Sequence, residues 1–406
     1  MAKGFLIVNV YTDNLALPLR NVNVKVSGEN YENSYITDEN GSSQKIELDT
    51  VSKELTNEYK EEGNIPFKLY DIEIEVFGLV KTIIRNIEIY EGITSNQNVF
   101  LTAKEEGKQI KEINLTVTEI WKSNTPKILE PFVADISKEK ILKQVVIPEY
   151  IVVHNGIPTD SNAPNYNIRF VDYIKNVACS EIYSTWPKET IKANVYCIIS
   201  FALNRIYTEW YKVKGYNFNI TGSSAYDQKY THNRPIFDSI SNIVDEIFTE
   251  YISKKDVNGP LLALYCDGKV SNYDRWFKQW GSKELGDRGL TAIEILKTYY
   301  GNNISLQTAV KVEGVPISYP GYILEVGECC IEVQQVQNLL NYITGSYPGI
   351  PKSNTDGNYT SQTKKTVEVF QKVFKLPVTG KINYVTWYKI SYIYVAVNRM
   401  LDGIYK

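Results

Sequence analysis

The sequence predicts a multidomain α+β protein, with a small antiparallel β-sandwich at the front, a central α+β domain and a three-helix domain at the rear. Three observations predict it. At 406 residues the chain exceeds one ordinary core, and roughly two or three domains is the expected count. In about the first hundred positions apolar residues alternate with polar ones, as half-buried strands require. Beyond residue 148 they recur every three or four positions instead, the spacing of a helix that buries one face.

The front unit spans residues 1 to about 103. Its strand-like runs, Phe5 to Tyr11, Val22 to Val26, Tyr70 to Val76 and Ile87 to Ile89, are short and rich in β-branched residues. Turn chemistry separates them at Asp13-Asn14, Thr37-Asp38-Glu39-Asn40-Gly41 and Glu91-Gly92. Nothing in this unit reads as catalytic. Tyr31, Tyr35, Tyr59 and Phe67 are its candidates for an aromatic contact face. Residues 104 to 147 change character. Lys104-Glu105-Glu106-Gly107-Lys108 reads as a solvated turn, and Ile113 to Val117 as one more strand-like run. A Pro-punctuated stretch follows, with a short helical piece around Ser137 to Lys143. This segment is expected to be an exposed linker and the best place for proteolytic cutting, above all between Ile136 and Ile147.

Residues 148 to 312 hold the longest helices. Asp172 to Ile182 reads as the first of them. Pro187 opens a second, at a position where its missing N–H costs nothing. Ile191, Val195, Ile198, Ala202, Ile206 and Trp210 give that helix one buried face, and Lys212, Lys214 and Gly215 mark its expected end. Residues 319 to 406 read as three helices, Val333 to Leu340, Ser361 to Phe374 and Asn383 to Arg399, with turns at Asp356-Gly357 and Thr379-Gly380.

A formal net charge of −3 argues against nucleic acid as the main partner, since phosphate binding needs clustered Lys and Arg. No stretch approaches the roughly 20 apolar residues of a membrane span. The run from Met1 to Val10 alternates like a strand and makes a poor signal peptide, so export by the usual secretory route is not indicated unless a leader was removed. Cys179, Cys197 and Cys266 read as small core residues, and the adjacent Cys329 and Cys330 cannot easily bridge each other. With His154 and His232 as the only histidines, no zinc-ligand spacing exists, and neither a metal nor another cofactor is predicted. The 31 tyrosines suit sugar-binding surfaces, although a general bias toward Tyr, Asn, Ile and Lys explains them more simply.

Specific motifs carry the functional reading. Val336-Gln337-Asn338-Leu339-Leu340, Asp356-Gly357, Thr366-Val367-Glu368-Val369-Phe370-Gln371, Leu376-Pro377-Val378-Thr379-Gly380 and Thr386-Trp387 resemble the three-helix peptidoglycan-binding domain in order and spacing. That family usually reads D-G-x-F-G at the central turn, where this chain has Asp356-Gly357-Asn358-Tyr359-Thr360. The run from Asn176 through Cys179-Ser180-Glu181-Ile182 to Trp186-Pro187, continuing through Ile191-Lys192-Ala193-Asn194, resembles the SpoIID-type catalytic domain, whose relatives are lytic transglycosylases. Gln279-Trp280-Gly281, the stretch from Ile293 to Gly301, and Ala225-Tyr226-Asp227-Gln228 are similar to further elements of that family. The run Leu17 to Val24 followed by Thr37 to Gly41 looks like a transthyretin-like module. The order of parts resembles the spore cortex-lytic enzymes of clostridia. That resemblance implies a zymogen in the cortex and coat region of the spore. An activating protease would remove its front domain, and its partner and substrate would be cortex peptidoglycan, degraded during germination.

Glycoside hydrolases generally use two carboxylates, whereas a lytic transglycosylase needs one, because the muramic acid C6 hydroxyl attacks its own anomeric carbon. Glu181 is the expected catalytic acid. Its place at the end of a helix, beside Tyr183 and Trp186, is expected to disfavour ionisation. The expected substrate-binding residues are Tyr183, Trp186, Tyr226, Asp227, Gln228, Tyr265, Gln279 and Trp280. Glutamines would bond sugar hydroxyl or N-acetyl groups, aromatics would stack on pyranose faces, and each has core packing as its alternative. Asp227 is also the nearby candidate for a second acid, which would restore plain hydrolysis by a muramidase or glucosaminidase. Where the family has a glycine- and histidine-rich loop before the glutamine, this chain has Ser271 to Lys278. That change leaves open a catalytically inactive wall-binding or scaffold protein.

Overall fold

The computed structural model describes residues 2–12, 17–57, 65–104, 109–117, 128, 142, 144–255, 259–269 and 273–401. In the front unit, β1 (Ala2–Tyr11), β2 (Asn23–Gly28), β3 (Tyr31–Ile36), β4 (Ile46–Thr50), β5 (Lys68–Ile74), β6 (Lys81–Ile89), β7 (Thr94–Phe100) and β8 (Ile110–Asn114) form two sheets. Alternate side chains point inward, so Leu6, Val8 and Val10 of one sheet meet Val24, Val26, Ile72 and Ile84 of the other. The sandwich is mixed and not antiparallel throughout, because β1 runs parallel to β7 and β6 parallel to β8. Parallel partners need long connections, which a residue-by-residue alternation does not record. The sheet also extends past residue 103, since β8 comes from the stretch expected to be linker. Of residues 104–147, those described are 104, 109–117, 128, 142 and 144–147. The expected helical piece around Ser137 to Lys143 and most of the Ile136 to Ile147 window lie outside the described residues, as do Tyr59 and part of the Ser271 to Lys278 loop.

The middle unit is built around a central helix. Its strands are β9 (Val146–Ile147), β10 (Tyr150–His154), β11 (Asn165–Arg169), β12 (Ile220–Thr221), β13 (Ile236–Phe237), β14 (Glu250–Lys254), β15 (Tyr265–Cys266), β16 (Phe277–Lys278), β17 (Ile304–Thr308) and β18 (Lys311–Val312). Its helices are α1 (Phe170–Glu181), α2 (Lys188–Tyr207), α3 (Asp238–Ile247), α4 (Gln279–Asp287) and α5 (Ala292–Tyr300). The other four helices and β14 surround α2, so it buries Tyr196, Cys197, Phe201 and Leu203 as well as Ile191, Val195, Ile198 and Ala202 of the expected face, while Ile206 is half-buried and Trp210 lies beyond the helix. Pro187 is the residue before the helix, and α2 stops at Tyr207. Lys212 and Lys214 belong to a separate single turn, closed by Gly215 in the left-handed region at φ 86°. Cys179 and Cys197 are core residues, and burial pushes the Cys179 thiol up to about 11.

The rear helices are α6 (Ile331–Ile343), α7 (Ser361–Val373) and α8 (Tyr384–Leu401), packed through Val336, Leu340, Phe370, Trp387 and Ile390. Two buried glutamines hold the turns. Gln337 Oε1 accepts from the Gly357 N–H at 3.0 Å, and Gln371 Oε1 accepts from the Thr379 and Gly380 N–H groups at 2.9 Å each. The three units are docked together. Strand β13 pairs with β7 and extends the front sheet by one strand. Helix α8 meets the middle unit through Arg399, which bonds both oxygens of Glu149, and through Tyr392, whose hydroxyl donates to Asp172 Oδ2 at 2.5 Å. Tyr11 of the front unit packs into the rear core. No helix among the described residues is long and apolar enough to cross a membrane.

Candidate active site

Glu181 is the last residue of α1, and its side chain is 9% exposed. Ile182 then turns extended and carries the chain into the 182–187 loop. The Glu181 carboxylate is met by neutral donors. Its Oε1 accepts the Lys229 N–H at 2.7 Å and its Oε2 accepts from Gln279 Nε2 at 3.3 Å. The Tyr265 hydroxyl bonds the same carboxylate. Burial, then the charge of Glu181, holds the Tyr265 hydroxyl well above the ordinary phenol range, so it remains a donor.

A buried relay supports Tyr265. Gln228 Nε2 donates to the Tyr265 oxygen at 3.1 Å and to the Ile198 carbonyl at 3.2 Å, while Gln228 Oε1 accepts from the Tyr173 hydroxyl at 2.9 Å. The loop bearing Gln228 and Lys229 is pinned to α1 by Asn176, which exchanges bonds of 2.7 and 3.0 Å with the backbone of Thr231. On the far side of that loop lies Asp227, which has no exposed surface. Its Oδ1 accepts from Arg205 Nε at 2.8 Å, and its Oδ2 accepts from the Tyr211 hydroxyl at 2.6 Å and from the N–H and hydroxyl of Thr221 at 2.9 and 2.8 Å.

Asp227, the expected sugar contact and candidate second acid, lies inside the intact chain, where donors to both of its oxygens enclose it and tie down the loop. Gln228 and Tyr265 are likewise buried and orient Glu181 from behind. Gln279 touches Glu181 directly. Tyr183, Trp186 and Trp280 form an edge-to-face trio, with ring centroids 5.1 to 6.1 Å apart, beside the helix end that carries Glu181. Tyr226 is half-buried one residue before Asp227.

Two of the trio, Trp186 and Tyr183, meet the front unit. Trp186 Nε1 donates to the Thr56 carbonyl at 3.1 Å, and the Thr56 hydroxyl bonds that of Thr185 at 2.8 Å. Tyr90 packs edge-on against Tyr183, Phe237 and Phe67. Beneath them, Glu88 Oε2 and Arg234 Nη2 form an ion pair at 3.3 Å with both side chains almost fully buried. Arg234 Nη1 also donates to Ser180 Oγ at 2.9 Å, next to Glu181. Of the expected sandwich aromatics, Phe67 faces the middle unit, whereas Tyr31 and Tyr35 bond each other on β3, where Tyr31 packs on Tyr70 of the sandwich. Sequence reasoning missed Lys229, Asn176, Arg234 and Glu88. Lys229 acts through its backbone, which no residue type reveals. The apolar setting of Asn176 and the alternation around Glu88 were the only signals available for those two.

Residues 331–390 match the family model described as a putative peptidoglycan-binding domain. The rear unit is therefore a peptidoglycan-binding domain in family terms, and peptidoglycan is the partner it indicates. Among curated protein sequences none matches the chain. Similar solved structures include the SleB N-terminal domain, at 22% identity over 19% of this chain and 99% of that one, with a TM-score of 0.17. The Bacillus anthracis TIE protein is similar at 20% identity over 25% of this chain and 17% of that one, with a TM-score of 0.18. Catechol 1,2-dioxygenase from Acinetobacter sp. ADP1 is similar at 15% identity over 32% of this chain and 57% of that one, with a TM-score of 0.16. At these values the three likenesses carry nothing about activity.

Proposed function

We propose that the chain is the zymogen of a peptidoglycan lytic transglycosylase that degrades spore cortex, with Glu181 as its single general acid and base. The observation that carries this reading is the contrast between the two candidate carboxylates. Glu181 sits at a helix end beside an aromatic trio, while Asp227 is sealed inside and has no surface for a sugar. One carboxylate beside the trio suits transglycosylation and leaves hydrolysis without its usual second acid. In this mechanism protonated Glu181 gives its proton to the leaving glycosidic oxygen. The C6 hydroxyl of the muramic acid closes onto its own anomeric carbon as that bond breaks. Glu181 takes the hydroxyl proton and returns to its starting state. Tyr265, held by Gln228, fixes the rotamer of the acid, and Gln279 is placed to bond either Glu181 or an incoming N-acetyl group.

The docked front unit supports the zymogen part of the reading. Thr56 and Tyr90 cover Trp186 and Tyr183, which are the expected stacking surfaces for sugar. An activating protease would cut in the segment of residues 104–147, above all between Ile136 and Ile147, and the front unit would then have to leave. Two described residues of that stretch touch the middle unit: the Ile128 N–H donates to the Ala225 carbonyl at 2.7 Å, and the Leu142 N–H to the Tyr207 carbonyl at 3.1 Å. A second reading, an inactive wall-binding protein, is favoured by one observation, the near-complete burial of Glu181 in the intact chain. Mass spectrometry of cortex digested by the fragment from Val145 onward separates the alternatives. Anhydro-muramyl ends are expected. Reducing ends would mean a hydrolase, and no soluble products from a folded fragment would mean a scaffold.

A further inference from the structure

A cavity of about 530 Å³ opens where the three units meet. That size lies within the roughly 300–1,000 Å³ of small-molecule sites. Its wall is rich in basic groups drawn from every unit. Lys111 comes from β8, Arg169 from the residue before α1, Lys375 from just after α7, and Lys389 from α8. Lys175 and Arg234 also line it, but they are engaged by Asp245 at 2.7 Å and Glu88 at 3.3 Å. The acid in the wall is Asp172, whose Oδ2 already accepts from Tyr392. Among the described residues, Lys111, Lys375 and Lys389 have no carboxylate within salt-bridge distance.

Lys389 is held below the ordinary lysine range by burial and then by the charge of Lys175, with Asp245 and Asp172 opposing and Arg169 adding to it. His232, also in the wall and stacked on Tyr166 at 3.8 Å, is pushed down to about 4 by burial and then by Lys111. Cations crowded into a half-enclosed space repel one another, and a bound anion relieves that repulsion. Aromatic faces from Tyr11, Phe100, Tyr230 and Phe374 complete the wall.

We propose that this cavity is a binding site for a small multivalent anion carrying carboxylate or phosphate groups. Because its cations come from all three units, one such anion bridges them and binds only the assembled chain. Occupancy then stabilises the docked arrangement by mass action, and departure of the front unit removes Lys111 and with it part of the site. This inference is independent of any catalytic role for Glu181.

Equilibrium dialysis of the full chain against radiolabelled citrate, and separately against radiolabelled inorganic phosphate, tests it in a chloride buffer of fixed ionic strength. Saturable binding of one anion per chain is expected for at least one of the two. Binding should be weaker by about tenfold or more in Lys111→Glu and in Lys375→Ala, the loss of one charged contact. The tighter of the two ligands identifies carboxylate or phosphate as the recognised group. Both substituted side chains are exposed, and an unaltered melting profile in the absence of anion checks that each variant is folded. If either fails to fold, Lys111→Gln replaces it in the comparison. Absence of saturable uptake of both anions, or binding unchanged in the folded variants, overturns the proposal.

Discussion

Glu181 and Asp227 are both buried carboxylates ringed by donors, yet the donors differ in kind. Asp227 is tied to the Arg205 guanidinium and to three further donors, and it lies wholly inside. Glu181 is met by a backbone N–H, a side-chain amide and a phenol, at the end of a helix. A buried ion pair holds structure and resists any change of charge. The donors to Glu181 from the Lys229 N–H, Gln279 and Tyr265 are neutral groups, so none of these three contacts is an ion pair that protonation would break. The same loop, residues 225–231, carries Asp227 as its anchor and delivers Gln228 and Lys229 to Glu181 as its working side.

This contrast makes separable predictions. The largest effect on stability is expected from Asp227→Asn, which leaves the buried Arg205 uncompensated and should cost about 3–5 kcal/mol. Urea unfolding checks it, and a loss under about 1 kcal/mol would remove Asp227 as the anchor. Glu88→Gln breaks the second buried pair, with Arg234, at a cost near the low end of that range, about 3 kcal/mol. Its expected readout is faster release of the front unit once the linker has been cut, followed by gel filtration. Release at the wild-type rate would mean that the apolar contacts of Tyr90 hold the unit alone. Tyr265→Phe removes one hydroxyl behind Glu181 and leaves the fold in place. Activity should fall about tenfold, the scale of one net hydrogen bond near 1.4 kcal/mol. Loss of stability without loss of rate would make Tyr265 a packing residue only.

The rear unit was the most legible part of the sequence, and its turns show why. Gln337 and Gln371, both within the recognised motifs, bond the backbone of the Gly357 and Gly380 turns, so the motif residues are themselves the fixtures of the fold. In the front unit, alternation located β1, β2, β5 and the end of β6. It did not reveal that β1 and β7 pair in parallel, because that register joins residues far apart in the chain. At the candidate site, Glu181, Gln228, Tyr265 and Gln279 were all visible as residue types, and hydrogen bonds connect them. The direction of Asp227 was not visible, since position along a loop does not say which way a side chain points. The Lys229 N–H was invisible because every residue but proline has one.

The most direct test of the central claim compares Glu181→Gln with the unsubstituted fragment from Val145 onward, on purified cortex, by counting anhydro-muramyl ends. The substitution keeps the shape of the side chain and removes its transferable proton. Product formation is expected to fall by at least about a hundredfold, the low end for loss of general acid–base catalysis, with the melting profile nearly unchanged. Anhydro ends formed at the unsubstituted rate by a folded Glu181→Gln fragment would contradict the account.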